Sequence, residues 1–410
     1  MFSKKGHDGH VTGQMTTCSY ALRATLTALV AGAAYLTMAP AGAADCSVVA
    51  GGLRTPIGSA FTNQGNLIVS ETGIANVPAS GRISIVSTSG SRRTLLDGLP
   101  QGTNAAGGDA SGPNALAIRG RTIYVAIGQG DTVIPGPSGS TVPNPNVSSP
   151  LFSSILAIHL SAAAEQSTGG FTLSLQDQMT LAGGGKVTLR NGGGDKMQVE
   201  LVVNFPDFVS EPTVANPGNV RNSNPFDVLP VDDALYVSNG GLNRLFKVDL
   251  ASHSYAELAV FDRIANTSGL AGPPSVEAVP TGLAYSDGQV LVSLFSGGPF
   301  IPGLSRVKTV DPVTGDQADF LTGLRTSIDV LPVKQGGDVD YLALENNFAP
   351  APPFPPTGAT VRRFEAPGSI SSVVNGCTLY RPTSISVDPR TGEMYATELL
   401  RGTVVHVLSN

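Results

Sequence analysis

Residues Asn224–Gly241 read NPFDVLPVDDALYVSNGG: a proline, a short apolar strand, an Asp-Asp turn, then a second strand of β-branched and aromatic residues. The same phrase recurs along the chain. It is TPIGSAFTNQGNLIVSETG from Thr55, GPNALAIRGRTIYVAIGQG from Gly112 and VPTGLAYSDGQVLVSLFSGG from Val279. TSIDVLPVKQGGDVDYLALENN from Thr326 carries Ser327 in the proline slot, and RPTSISVDPRTGEMYATELLRG from Arg381 is the last copy. The anchors at 56, 113, 225, 280, 327 and 382 are separated by 57, 112, 55, 47 and 55 residues. Repetition on this scale is the mark of a repeat architecture.

Each copy extends beyond its hairpin. A third strand follows in RISIVS (Arg82–Ser87), RLFKVDL (Arg244–Leu250), LSRVKTVD (Leu304–Asp311), TVRRFEA (Thr360–Ala366) and TVVHVLS (Thr403–Ser409). A fourth follows in RRTLLDGL, AELAVF, ADFLTGL and SSVVNGC. Turns such as Asp287-Gly288 fit tight β-hairpins. Four-stranded antiparallel units in series read as propeller blades, which bury their faces only by stacking on neighbours. The expected fold is therefore all-β, a six-bladed propeller spanning 45–410. The long step between the second and third anchors holds no further copy, so 131–194 reads as an insertion expanding blade two. The last copy stops after its third strand. The segment CSVVAGGL (Cys46–Leu53) resembles an outer strand and is expected to complete blade six and close the ring, removing an open edge.

Composition agrees. The 410 residues include 49 Gly and 30 Pro, only 14% are charged, and 41% are hydrophobic. Turns are many, charged helical surface is scarce, and the chain is too apolar for disorder. A net charge of −6 argues against a nucleic-acid or anionic-membrane partner, since either needs a basic face.

The N-terminus reads as an address. Lys4, Lys5 and Arg23 precede the apolar run Ala24–Ala39 and the small residues Ala41-Gly42-Ala43-Ala44. This is the pattern of a secretory signal peptide over 1–44, with Met15 a second possible start. Export to an extracellular or periplasmic space, with no membrane attachment after cleavage, is the expectation. Cys46 and Cys377 would remain, in an oxidising compartment, either as one disulfide or as two buried thiols.

The stretches NPFDVL…LYVSNGGLNRLFKVDL, PTGLAY…VLVSLFSGGPFIPGLSRVKTVDPVTG and SIDVL…YLALENNF resemble the ScyD/ScyE family of secreted six-bladed propellers. That family is named for an association with an extracellular sunscreen pigment, and it shades into NHL-type and gluconolactonase-like propellers. The resemblance implies the fold, export and a tie to an extracellular metabolite. It carries over no catalytic residue. Leu294 stands where a Glu of the family is expected.

Chemistry is sought at strand ends. The residues ending each second strand are Glu71, Ile127, Asn239, Leu294, Glu345 and Glu398. Glu71, Asn239, Glu345 and Glu398 form either a ring of oxygen ligands at the channel mouth, of the kind Ca²⁺ takes, or a set of loop caps. A second ring just after the anchors offers Asn114, Asp227, Thr281, Asp329 and Thr383, of which Asp227 and Asp329 could add ligands. No G-x-S-x-G, H-E-x-x-H or C-x-x-C is present, which removes hydrolase-elbow, zincin and thioredoxin-like readings. The lack of Trp speaks against a quinone-cofactor propeller built on tryptophan docking motifs. Two readings stay open. One is a scaffold holding a small molecule or protein partner at the channel mouth, where Phe295, Phe300, Phe348 and Phe354 are candidates. The other is a Ca²⁺-dependent hydrolase or lactonase.

Overall fold

A computed structural model describes residues 45–407 apart from 88, 104–109, 336 and 347–357. The expected signal peptide lies outside the described residues, and no described helix is long and apolar enough to cross a membrane.

The chain folds as six antiparallel blades in a propeller. Blade three is the plainest, with Pro225–Val231, Ala234–Asn239, Arg244–Asp249 and Tyr255–Val260 side by side from the axis outward. Its first turn is tight because Asp232 accepts a positive φ of 48°. The other innermost strands are Pro56–Phe61, Pro113–Arg119, Ala278–Ser286, Ser327–Gln335 and Pro382–Val387. Each begins at or just before its anchor, where a residue without a ladder N–H costs nothing.

In blade six the first described strand pairs with the last: Ser47–Ala50 runs antiparallel to Thr403–Val407, Ser47 facing His406. Cys46 is bonded to Cys377 across a sequence separation of 331, beside that pairing. Apolar side chains gather in six clusters, one at each blade junction. Ile68 and Ile123 belong to the cluster between blades one and two, and Val69 and Val404 to that between blades one and six.

The extra length of blade two falls in two pieces rather than in one block. Ser154–Leu160, inside the stretch read as an insertion, is the blade's own third strand. Before it lies a hairpin of Val133–Pro135 and Thr141–Pro143. After it, Phe171–Thr172 pairs in parallel with the outer strand of blade one, while Lys186–Arg190 adds a fifth strand to blade two. Phe171, Leu173 and Leu181 fill the wedge between these blades.

Candidate functional site at the channel

The second-strand ends occupy one equivalent position. Glu71, Asn239, Glu345 and Glu398 each lie opposite the anchor of their own blade, at Pro56, Pro225, Ser327 and Pro382. All four are buried. Glu398 accepts the Tyr380 N–H at 2.7 Å and the Thr403 hydroxyl at 2.9 Å. Glu345 accepts the Arg325 N–H at 2.8 Å and the Thr360 hydroxyl. Glu71 accepts the Arg54 N–H, the Ser84 hydroxyl and two bonds from the Arg82 guanidinium at 2.9 and 2.6 Å. The three glutamates thus do one job. Each takes up the backbone N–H two residues before its anchor and a hydroxyl from the third strand. Asn239 does a related one, its Oδ1 accepting the Asn224 and Leu242 N–H groups at 2.9 and 3.1 Å.

The structure does not bring these four together. None lines the central cavity. Among the described residues, no three His, Cys, Asp or Glu side chains form a group that could hold a metal ion. A cation needs lone pairs converging on one point, whereas these oxygens each face N–H and O–H donors inside their own blade.

The second ring resolves into two. One residue after the anchor, Asn114, Thr281 and Thr383 point between blades. They donate to the anchor carbonyls of the next blade: Asn114 to Pro225 at 2.7 Å, Thr281 to Ser327 at 3.4 Å, Thr383 to Pro56 at 3.0 Å. Thr72 and Asn346 make the same latch to Pro113 and Pro382 from the residue just past the second strand. Reading the sequence as a single ring missed this, because the two positions differ by one residue and therefore by one face.

Two residues after the anchor stand Gly58, Ala115, Asp227, Gly282, Asp329 and Ser384. The strand register slips here in every blade. A bulge of this kind frees backbone groups from the ladder and re-aims a side chain. These positions line a cavity of about 250 Å³ on the axis, to which all six innermost strands contribute. Asp227 accepts the Val228 N–H at 2.8 Å and, across the blade junction, the Leu283 N–H at 2.7 Å. Asp329 repeats this two blades on, accepting Val330 at 2.8 Å and Ile385 at 2.9 Å. Each carboxylate thus satisfies N–H groups that the bulges leave without ladder partners. Ser59 hydrogen-bonds Ser384 and Ser386 across the junction of blades one and six.

Burial sets the charge state of this pair. It is the leading cause that pushes Asp227 well above the usual carboxylate range, and the neighbouring Asp329 charge adds to it. Burial pushes Asp329 up to about 7, against the pull of the Ile385 and Val330 N–H groups. Asp329 keeps some surface toward the cavity.

Of the four phenylalanines, Phe295 and Phe300 form an edge-to-face pair with centroids 5.8 Å apart, and Phe295 packs against the core between blades five and six. Phe348 and Phe354 lie outside the described residues.

No family model matches this chain, and no curated protein matches it. Solved structures do align with it. They include the PQQ-bound aldose sugar dehydrogenase of Streptomyces coelicolor, with 13% identity and a TM-score of 0.44, covering 88% of this chain and 96% of that one. The apo aldose sugar dehydrogenase of Escherichia coli aligns with 10% identity and a TM-score of 0.46, covering 89% and 99%. An auxiliary nutrient binding protein of Bacteroides thetaiotaomicron aligns with 9% identity and a TM-score of 0.46, covering 87% and 70%. Such likenesses carry nothing about chemistry.

Proposed function

We propose that this chain is an exported, non-catalytic binding or scaffold propeller of the ScyD/ScyE kind that its repeats resemble, taking a small molecule or partner at the channel mouth. One observation carries this: the acidic residues in equivalent slots spend their oxygens as strand-end caps, each in its own blade. A calcium-dependent lactonase would need Glu71, Asn239, Glu345 and Glu398 to give up those bonds and turn toward a shared ion. The leader pattern and the Cys46–Cys377 bond support export. The axial cavity, at about 250 Å³, is below the usual size of a small-molecule site. It would hold the end of a ligand, with the mouth holding the rest.

A thermal melt after chelator treatment, with Ca²⁺ added back, tests this reading together with Glu398→Gln. The expected result is an unchanged melting temperature with calcium, no hydrolysis of a lactone panel, and a stability loss of about 1–2 kcal/mol in Glu398→Gln from one mismatched buried bond. A calcium-specific rise at a hundredfold excess over Kd, about 2.7 kcal/mol, would overturn it, most plainly if Glu398→Gln removed the rise.

A further inference from the structure

Blade five differs from the others at its outer edge. Its outermost strand, Ser372–Val373, has two residues and pairs only with Arg363 and Arg362. The matching strands of blades one, three and four are Arg92–Leu99, Tyr255–Val260 and Gln317–Leu324, of 8, 6 and 8 residues. The side chains of a full outer strand help fill the wedge against the next blade. Here the described residues leave the wedge underfilled, and a groove of about 550 Å³ opens between blades five and six, at the end away from the anchors.

The walls of this groove are aliphatic: Val333, Leu342, Val374, Val387, Met394 and Val407. Val333, Val374, Val387 and Met394 are only half-buried, so apolar surface stands uncovered there. One ring lines the groove, the His406 imidazole, and it already packs on Tyr395 with centroids 5.4 Å apart. A sugar or a flat aromatic ligand would find little ring face to stack on, whereas an alkyl chain matches the aliphatic walls.

The charges at the rim are unequal in their freedom. Asp340 is paired with Arg363. Glu393 is held by the Tyr395 hydroxyl at 2.9 Å and by Thr391 at 3.3 Å. Lys334 is exposed and, among the described residues, is in no ion pair. Glu393 is likewise in no ion pair among the described residues, but its carboxylate accepts from two hydroxyls, so Lys334 is the rim charge whose donors an anionic head can take as the alkyl tail leaves the groove. We propose that this groove binds an aliphatic carboxylate of medium chain length, tail on the valine and methionine walls and carboxylate toward the Lys334 ammonium. The groove's size, within the usual 300–1,000 Å³ of ligand sites, accommodates such a molecule whole. This site lies apart from the channel and does not depend on the reading given to it.

Calorimetric titration of the purified protein with sodium decanoate is the test. One saturable site is expected, with affinity falling roughly fourfold for each methylene removed as the chain is shortened to hexanoate. Decanol, with the same tail and no charge, should bind up to about fivefold more weakly, as for an exposed ion pair. Lys334→Gln should abolish that difference and leave decanol binding unchanged. Met394→Trp, which fills the groove, and Val374→Arg, which charges its wall, should each remove decanoate binding while circular dichroism shows the fold intact. If one of the two fails to fold, the other decides. Absence of saturable binding, binding that ignores tail length, or binding that survives the groove variants would each overturn the proposal.

Discussion

Asp227 and Asp329 sit where their surroundings work against their charge, and that has a measurable consequence. In the unfolded chain an aspartate titrates near 3.9. In the folded one Asp329 is pushed up to about 7 and Asp227 well above its ordinary value, burial being the main cause in both. Between about pH 4 and pH 7 the folded state therefore holds protons that the unfolded state has released. Linkage then makes this pair's contribution fall as pH rises through that window. The melting temperature of the wild type should drop between pH 5 and pH 8 by more than that of Asp329→Asn. The variant removes one raised group and also relieves Asp227 of a neighbouring charge. The readout is the slope, since Asn keeps only one acceptor for two N–H groups and lowers stability at every pH. Equal slopes would show that these carboxylates titrate normally. The residue types at both positions were legible from the sequence. Their roles were not, because a carboxylate that caps two N–H groups and one that ligates a cation carry the same letter.

At the level of elements, the repeated phrase gave the blade count because proline anchors and Gly- or Asp-containing turns have local causes. The anchor faces the second-strand end in all six blades, from Pro56 and Glu71 to Pro382 and Glu398. What the letters could not show was the bulge two residues later, which is fixed by contact between blades. Phe171–Thr172 is a similar case: it joins blade one in parallel although its chain neighbours build blade two, a long-range choice with no local signal. The bulge also explains a small residue. A Cβ on Gly282 would lie 2.5 Å from Asp329 Oδ1 and 2.6 Å from the Asp329 Cα. Since part of that clash is with backbone, neither group can simply rotate away. Gly282→Ala should cost about 1–3 kcal/mol, the range for overpacking, read as a lowered denaturant midpoint. Gly51→Ala, whose Cβ would meet nothing nearer than 3.9 Å, should stay within about 0.5 kcal/mol. If the two variants match, the inner wall is looser than the close approach implies.

Over the whole molecule, the first and last described strands meet in blade six, and three kinds of contact hold them. Ser47–Ala50 lies against Thr403–Val407, Cys46 is bonded to Cys377, and Asp45 accepts from the Tyr380 hydroxyl at 2.8 Å and from Arg401 at 3.0 Å. Thr383 adds the latch to Pro56 that brings blade six against blade one. We propose that the N-terminal strand closes the ring and that the disulfide keeps it there. A four-residue strand at an edge frays easily by itself, because few hydrogen bonds and little apolar area hold it. The covalent link changes this in two ways. It restricts the unfolded chain over a loop of 331 residues, a length for which loop entropy predicts about 6 kcal/mol. It also makes detachment of the strand a local event from which the strand re-pairs at once. Replacing both cysteines with serine should then lower the melting temperature and raise amide exchange first in Ser47–Ala50 and Thr403–Val407, ahead of the innermost strands. Uniform loss of protection across all six blades would mean that the bond stabilises the molecule only through its unfolded state. Unchanged exchange and melting would mean that the pairing of the ends needs no covalent support.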